Sequence, residues 1–102
     1  MFTITIHELA QKVNISKSTL NRYIDIGLIE PARINSENNY RYFDNEVVRR
    51  LELLKILKRK PFRLKLQEIK DVLNQVDLSV LESHLRRSEK DLLDFLISSK
   101  YV

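Results

Sequence analysis

Lys17, Ser18, Asn21, Arg22 and Asp25 recur at helical spacing around the apolar pair Leu20 and Ile24. A helix through this stretch turns hydroxyl, amide and cationic groups to one side and hydrocarbon to the other. Hydroxyls and amides share hydrogen bonds with phosphates or base edges, and Lys and Arg displace counterions from a polyanion. Further on, Arg33 and Arg41 bracket an Asn-rich stretch, with Tyr40 and Tyr42 beside the second arginine. Arginines on such a loop reach backbone phosphates next to a groove, and a tyrosine ring packs on sugar. The competing readings are plain ones: a polar helix face is usually just wet, and the tyrosines suit hairpin packing, with one expected in the core and one exposed. A third cationic run, Lys58, Arg59, Lys60, Pro61, Phe62, Arg63 and Lys65, is either a solvated turn or a second wing held down by Phe62 and Leu64.

Other chemistry has little to stand on. His7 and His84 are far apart and lack ligand-type neighbours, so both read as solvent or packing histidines. There is no cysteine, no Gly-rich phosphate loop, no metal-spaced cluster and no paired nucleophile and base. An enzyme is not expected, and neither is a metal or cofactor.

The positioning elements are marked by their caps. Thr5, Ile6, His7 and Glu8 form a capping box, with Ile4 and Leu9 spaced as a staple, which predicts a first helix over Ile6 to Val13. Ser16 caps a second helix, stapled by Ile15 and Leu20, and Asn14 and Ile15 alone remain for the turn between them. Gly27, the sole glycine, supplies a left-handed end to the second helix, and Pro31 forbids its resumption. Leu9, Ala10, Val13, Leu20, Ile24 and Leu28 then share one apolar surface. Arg33 and Ile34, the turn Asn35 to Asn39, and Tyr40 to Phe43 predict a β-hairpin. Asp44 caps a third helix over Asn45 to Lys58, striped by Val47, Val48, Leu51, Leu54 and Leu57, and Leu66 to Leu73 makes a short fourth.

With 102 residues, 43 % hydrophobic and 31 % charged, the chain is too apolar for general disorder and has no run near membrane-span length. A cytoplasmic protein is expected, with no secretory segment and no membrane partner. The net charge of +4 is unevenly placed: residues 1–65 hold 13 Lys and Arg against 7 Asp and Glu, while residues 66–102 hold 5 against 7. A basic front and an acidic rear fit a molecule with one end on a polyanion.

The order of elements and the residues Ser16, Thr19, Leu20, Tyr23, Ile26, Gly27, Leu28, Pro31, Arg33, Tyr40, Arg41 and Phe43 resemble the MerR family of bacterial transcription regulators. Glu68, Ile69 and Lys70 echo the family again, and the likeness covers roughly residues 2–73. The resemblance implies a mainly α fold: a winged helix-turn-helix with a small hairpin wing over 1–75, then a C-terminal dimerisation helix over 76–102. It implies double-stranded DNA as partner, with Ser16, Lys17, Ser18, Thr19, Asn21, Arg22, Tyr23, Arg33, Asn39, Tyr40, Arg41, Tyr42, Lys60, Arg63 and Lys65 as the contact set. RNA polymerase or another regulatory protein is a further candidate partner. The chain departs from the pattern at Ser18, where the family commonly has arginine, at Asn21-Arg22-Tyr23, where it commonly has Arg-Tyr-Tyr, and at Pro61, where the second wing usually has glycine. Operator preference therefore does not carry over.

In the last segment Ser79 and Glu82 resemble another capping box, and Leu78, Leu81, Leu85, Ser88, Leu92 and Phe95, widened by Leu96, follow the spacing of a coiled-coil seam. A homodimer is expected through it, although Ser88 interrupts the seam and part of the helix has the option of folding back. No effector site is visible. The reading is a small dimeric DNA-binding transcriptional regulator. The alternatives are an excisionase-like architectural protein that bends DNA, and a protein-interaction module to which DNA is irrelevant.

Overall fold

The computed structural model describes residues 3–101; Met1, Phe2, where the family resemblance begins, and Val102 lie outside the described residues. The chain divides into two compact units, residues 1–52 and 53–102.

The first unit holds β1 (Ile4–Thr5), α1 (Ile6–Val13), α2 (Lys17–Asp25), β2 (Arg33–Ile34), β3 (Arg41–Phe43) and the opening of α3 (Asn45–Lys58). The Thr5 capping box forms: the Thr5 N–H donates to Glu8 Oε1 at 3.0 Å, and the Glu8 N–H donates to Thr5 Oγ1 at 3.2 Å. The bond from the Thr5 N–H foremost, and then the Thr5 hydroxyl donating to the same Glu8 oxygen at 3.1 Å, hold the Glu8 carboxyl below the usual glutamate range. A depressed carboxyl stabilises the fold above its ordinary titration range and withdraws that contribution as pH falls through the depressed value. Glu8→Gln keeps an oxygen at this position, so the variant is expected to match the parent in acid and to lose the extra stability the parent gains on neutralisation. Thermal melts of both proteins across the acid range check this.

α1 ends at Asn14, left-handed at φ 56°, which leaves room for a tight turn before Ser16 caps α2 by accepting the Thr19 N–H at 3.2 Å. α2 closes in a Schellman arrangement. The Leu28 N–H reaches Tyr23 O at 2.9 Å and the Gly27 N–H reaches Ile24 O at 3.1 Å, with Gly27 at φ 80°. Leu9, Val13, Leu20, Leu28 and Phe43 are fully buried beneath, as the apolar spacing predicted for the first four.

The Leu28 carbonyl receives a fork from α3, with Arg50 Nε at 3.1 Å and Nη2 at 2.8 Å. Burial pulls this guanidinium below the ordinary arginine value, opposed by Glu46 and Glu30. Arg50→Met removes both donors from a carbonyl in the core, and unfolding in urea should show a loss of about 1–3 kcal/mol.

The sheet has three strands in the order β1-β3-β2, all antiparallel. The hairpin expected from the sequence is present, and β1 joins its far side, pairing Ile4 with Phe43 and Thr5 with Tyr42. A strand of two residues offers no alternation to detect, so β1 was not foreseen.

The second unit holds the rest of α3, α4 (Leu66–Gln75), α5 (Leu78–Arg87) and α6 (Glu89–Ser98). α3 serves both units: Val47, Val48 and Leu51 are buried residues of the first, and Leu53, Leu54 and Leu57 of the second. Phe62 and Leu64 are buried at 4 % and 6 % exposure, and the Leu64 N–H bonds back to Leu57 O, so the cationic turn after α3 is anchored as its apolar residues suggested.

The C-terminal expectation needs correction. Among the described residues the expected single helix is two, broken at Ser88. Ser88 is extended, at φ −177° and ψ 161°, ends α5, and caps α6 by accepting the Asp91 N–H at 2.9 Å. α5 and α6 pack on each other, with His84 Nδ1 at 3.0 Å from Asp91 Oδ2 and its ring stacked on Phe95 at 4.5 Å between centroids. Leu78, Leu81, Leu92 and Leu96 are buried inside this unit, while Leu85 and Phe95 are half-buried. The 3,4 spacing was real, but the leucines spend it within their own chain. The cap of α5 is Asp77, which accepts the Ser79 N–H, in place of the expected Ser79.

Candidate nucleic-acid interface

α2 presents Lys17, Ser18, Asn21, Arg22 and Asp25 to solvent, as its period demands once Leu20 is fully buried. Three hydroxyls at its start are engaged with one another: Ser16 Oγ donates to Thr19 Oγ1 at 2.9 Å and lies 3.3 Å from Ser18 Oγ. Ser16 and Thr19 thus serve the cap first. Tyr23 departs from the expected contact set. It is 4 % exposed, because a residue three positions after Leu20 shares its buried face, so it belongs to the core.

The hairpin is shaped by asparagines. Asn35 Oδ1 accepts the Glu37 N–H at 2.8 Å, Asn38 Oδ1 accepts the Tyr40 N–H at 2.9 Å, and Asn39 takes the left-handed conformation at φ 60°. This turn leaves Tyr40 61 % exposed and Tyr42 half-buried; the aromatic in the core is Phe43.

Strand register decides where the arginines go. Arg33 pairs with Tyr42 and Ile34 with Arg41, so Arg33 and Arg41 stand on opposite faces of the hairpin. The Arg33 guanidinium lies over the Tyr42 ring, 4.7 Å from its centroid. Arg41 lines an open cleft of about 380 Å³ together with Asn21 of α2, Asn39 and Tyr40 of the turn, and Thr5, Ile6 and His7 at the start of α1. The structure therefore brings Asn21, Asn39, Tyr40 and Arg41 together and gives Arg33 a different outlook. The pairing does not put both arginines on one face of the hairpin. Thr5, Ile6 and His7 were missed as lining residues; with β1 unseen, nothing pointed to the start of α1 lying beside the wing.

Lys60, Arg63 and Lys65 of the second unit are all exposed on the turn that Phe62 and Leu64 anchor, with Arg63 left-handed at φ 50°. Lys65 leads into α4, its N–H donating to Glu68 Oε1 at 2.8 Å, which gives that glutamate a local role as a cap. Among the described residues no group of three His, Cys, Asp or Glu is placed to hold a metal ion, and no helix is long and apolar enough to cross a membrane.

A helix-turn-helix whose second helix is exposed on its polar side, followed by a hairpin wing with an arginine at the shared cleft, defines a winged helix-turn-helix. The profile of the MerR HTH family of regulatory proteins matches residues 4–76, and the chain belongs to that family. It is similar to the HTH-type transcriptional regulator CueR of Bacillus subtilis, 41 % identical over 69 residues that make up 68 % of this chain and 46 % of CueR. It is also similar to the mercuric resistance operon regulatory protein of Bacillus cereus, 34 % identical over 95 residues, 90 % of this chain and 63 % of that one. The chain thus spans about half to two thirds of the length of these relatives. Among solved structures it resembles HiNmlR, a MerR family regulator lacking the sensor domain, crystallised bound to promoter DNA. The TM-score is 0.62 at 25 % identity, over 97 % of this chain and 76 % of the other.

Proposed function

We propose that this chain is a transcriptional regulator that binds double-stranded DNA through residues 1–75, without catalytic activity of its own, in the cytoplasm. α2 enters the major groove with Lys17, Ser18, Asn21 and Arg22, and the wing sets Tyr40 and Arg41 on the flanking backbone. Arg33 and Tyr42, on the hairpin's other face, and Lys60, Arg63 and Lys65 of the second turn are additional phosphate contacts. The observation that carries this reading is the common cleft of Asn21 and Arg41, which puts a base-reading amide and a phosphate-binding cation on one contour. Membership of the family and the likeness to a DNA-bound regulator support it.

Selection of duplexes from a random pool tests sequence readout. The parent is expected to enrich a motif, and Asn21→Ala to lose discrimination at one position, by about 1–3 kcal/mol, while holding unselected DNA as before. Equal losses on selected and scrambled duplexes would contradict the role given to Asn21.

Residues 76–102 are the proposed assembly element, and a homodimer with RNA polymerase or another regulatory protein as partner is the corresponding reading. With the leucines turned inward, the support left to it is apolar side chains still at the surface, Val80 at 39 % and Ile97 at 50 % exposure. The buried α5–α6 leucines favour instead the excisionase-like reading, a monomer or filament. Light scattering decides between twice 12.2 kDa and 12.2 kDa.

A further inference from the structure

His7 is exposed in the first turn of α1 and lines the same cleft as Arg41, Tyr40 and Asn21. The N–H groups of Thr5 and Glu8 at this end of the helix are already occupied by the capping box. Among the side chains lining the cleft, the Arg41 guanidinium is a fixed cation and the His7 imidazole a cation only when protonated. The cleft's ≈ 380 Å³ compares with roughly 30 Å³ for one water in the liquid, ample for a phosphodiester and part of its sugar.

We infer that His7 is a proton-linked contact to the DNA backbone, sharing one phosphodiester with Arg41. The inference rests on the proposed DNA-binding role. The charged and titratable groups about His7 come from two sides. On its own helix the neighbour is Glu8, whose carboxylate is engaged with Thr5. On the hairpin, Arg41 and Tyr40 line the same cleft, and α2 contributes the amide of Asn21. A phosphate held by both His7 and Arg41 attracts the imidazolium more strongly than the neutral ring. Binding DNA then favours proton uptake from solvent onto the imidazole, and by linkage a proton on His7 favours binding DNA.

The test is the affinity for a mixed-sequence duplex, by fluorescence anisotropy, between about pH 5.5 and pH 8 at constant ionic strength, the range in which histidine titrates. For one linked proton the parent's association constant should fall with rising pH by up to about tenfold per unit. His7→Gln should lose that slope and bind like the parent at the alkaline end, and His84→Gln should retain it. A parent without pH dependence, or a His7→Gln variant with the parent's slope, overturns the inference and leaves the DNA-binding reading in place. Absence of duplex binding at every pH overturns both.

Discussion

Phe43→Ala is expected to lower the unfolding free energy by about 3–5 kcal/mol, the usual cost of deleting a buried phenylalanine ring. Phe43 is fully buried, pairs with Ile4 across the sheet, and sits one residue before Asp44, whose Oδ1 accepts the Val47 N–H at 3.2 Å at the start of α3. At Phe43 the wing strand therefore pairs with β1 and leads directly into the cap of the third helix. Whole domains are stable by only about 5–15 kcal/mol, so the loss is a large fraction of the total. Urea unfolding measures it, with Tyr40→Ala as the control: a side chain 61 % exposed should change stability by less than about 0.5 kcal/mol. A Phe43 variant as stable as the Tyr40 variant would mean that the wing is not anchored through this residue.

The second large effect is on binding. Arg41→Ala removes a guanidinium from the cleft it shares with Asn21, and hydrogen bonds to charged groups are worth about 1.5–3 kcal/mol, so affinity should fall by roughly 10- to 150-fold. Because the contact is to phosphate, the loss should be similar on every duplex sequence. The slope of log affinity against log salt should also shallow by about 0.9. Salt-titrated anisotropy on two unrelated duplexes separates this from a base contact. A variant with the parent's salt slope would remove Arg41 from the backbone.

Much of the first unit was legible in the sequence because its punctuation is local. Thr5 with Glu8, Ser16 and Asp44 each mark a helix start by a hydrogen bond spanning three residues, and Gly27 marks an end by a conformation that suits glycine. What was not legible depends on partners distant in the chain. β1 exists only because Phe43 and Tyr42 pair with it, and the separation of Arg33 from Arg41 follows from a register that residue spacing alone does not reveal. Tyr23 entered the contact set through the family resemblance, whereas its position three residues after Leu20 places it on the buried side. At the C-terminus the leucine spacing is the same whether the helix runs on or breaks, and spacing was trusted. The local signal was present: Ser88 followed by Glu89 and Asp91 is a cap and an acidic first turn.

The central claim is that the exposed side of α2 and the Arg41 face of the wing form one surface for duplex DNA. Titration of the isotope-labelled chain with a mixed-sequence duplex at about 50 mM salt, where phosphate contacts are strong, tests it residue by residue through amide chemical shifts. The account predicts shifts gathered at Lys17, Asn21, Arg22 and Asn39 to Arg41. Shifts confined to α5 and α6, or none at all, would contradict it.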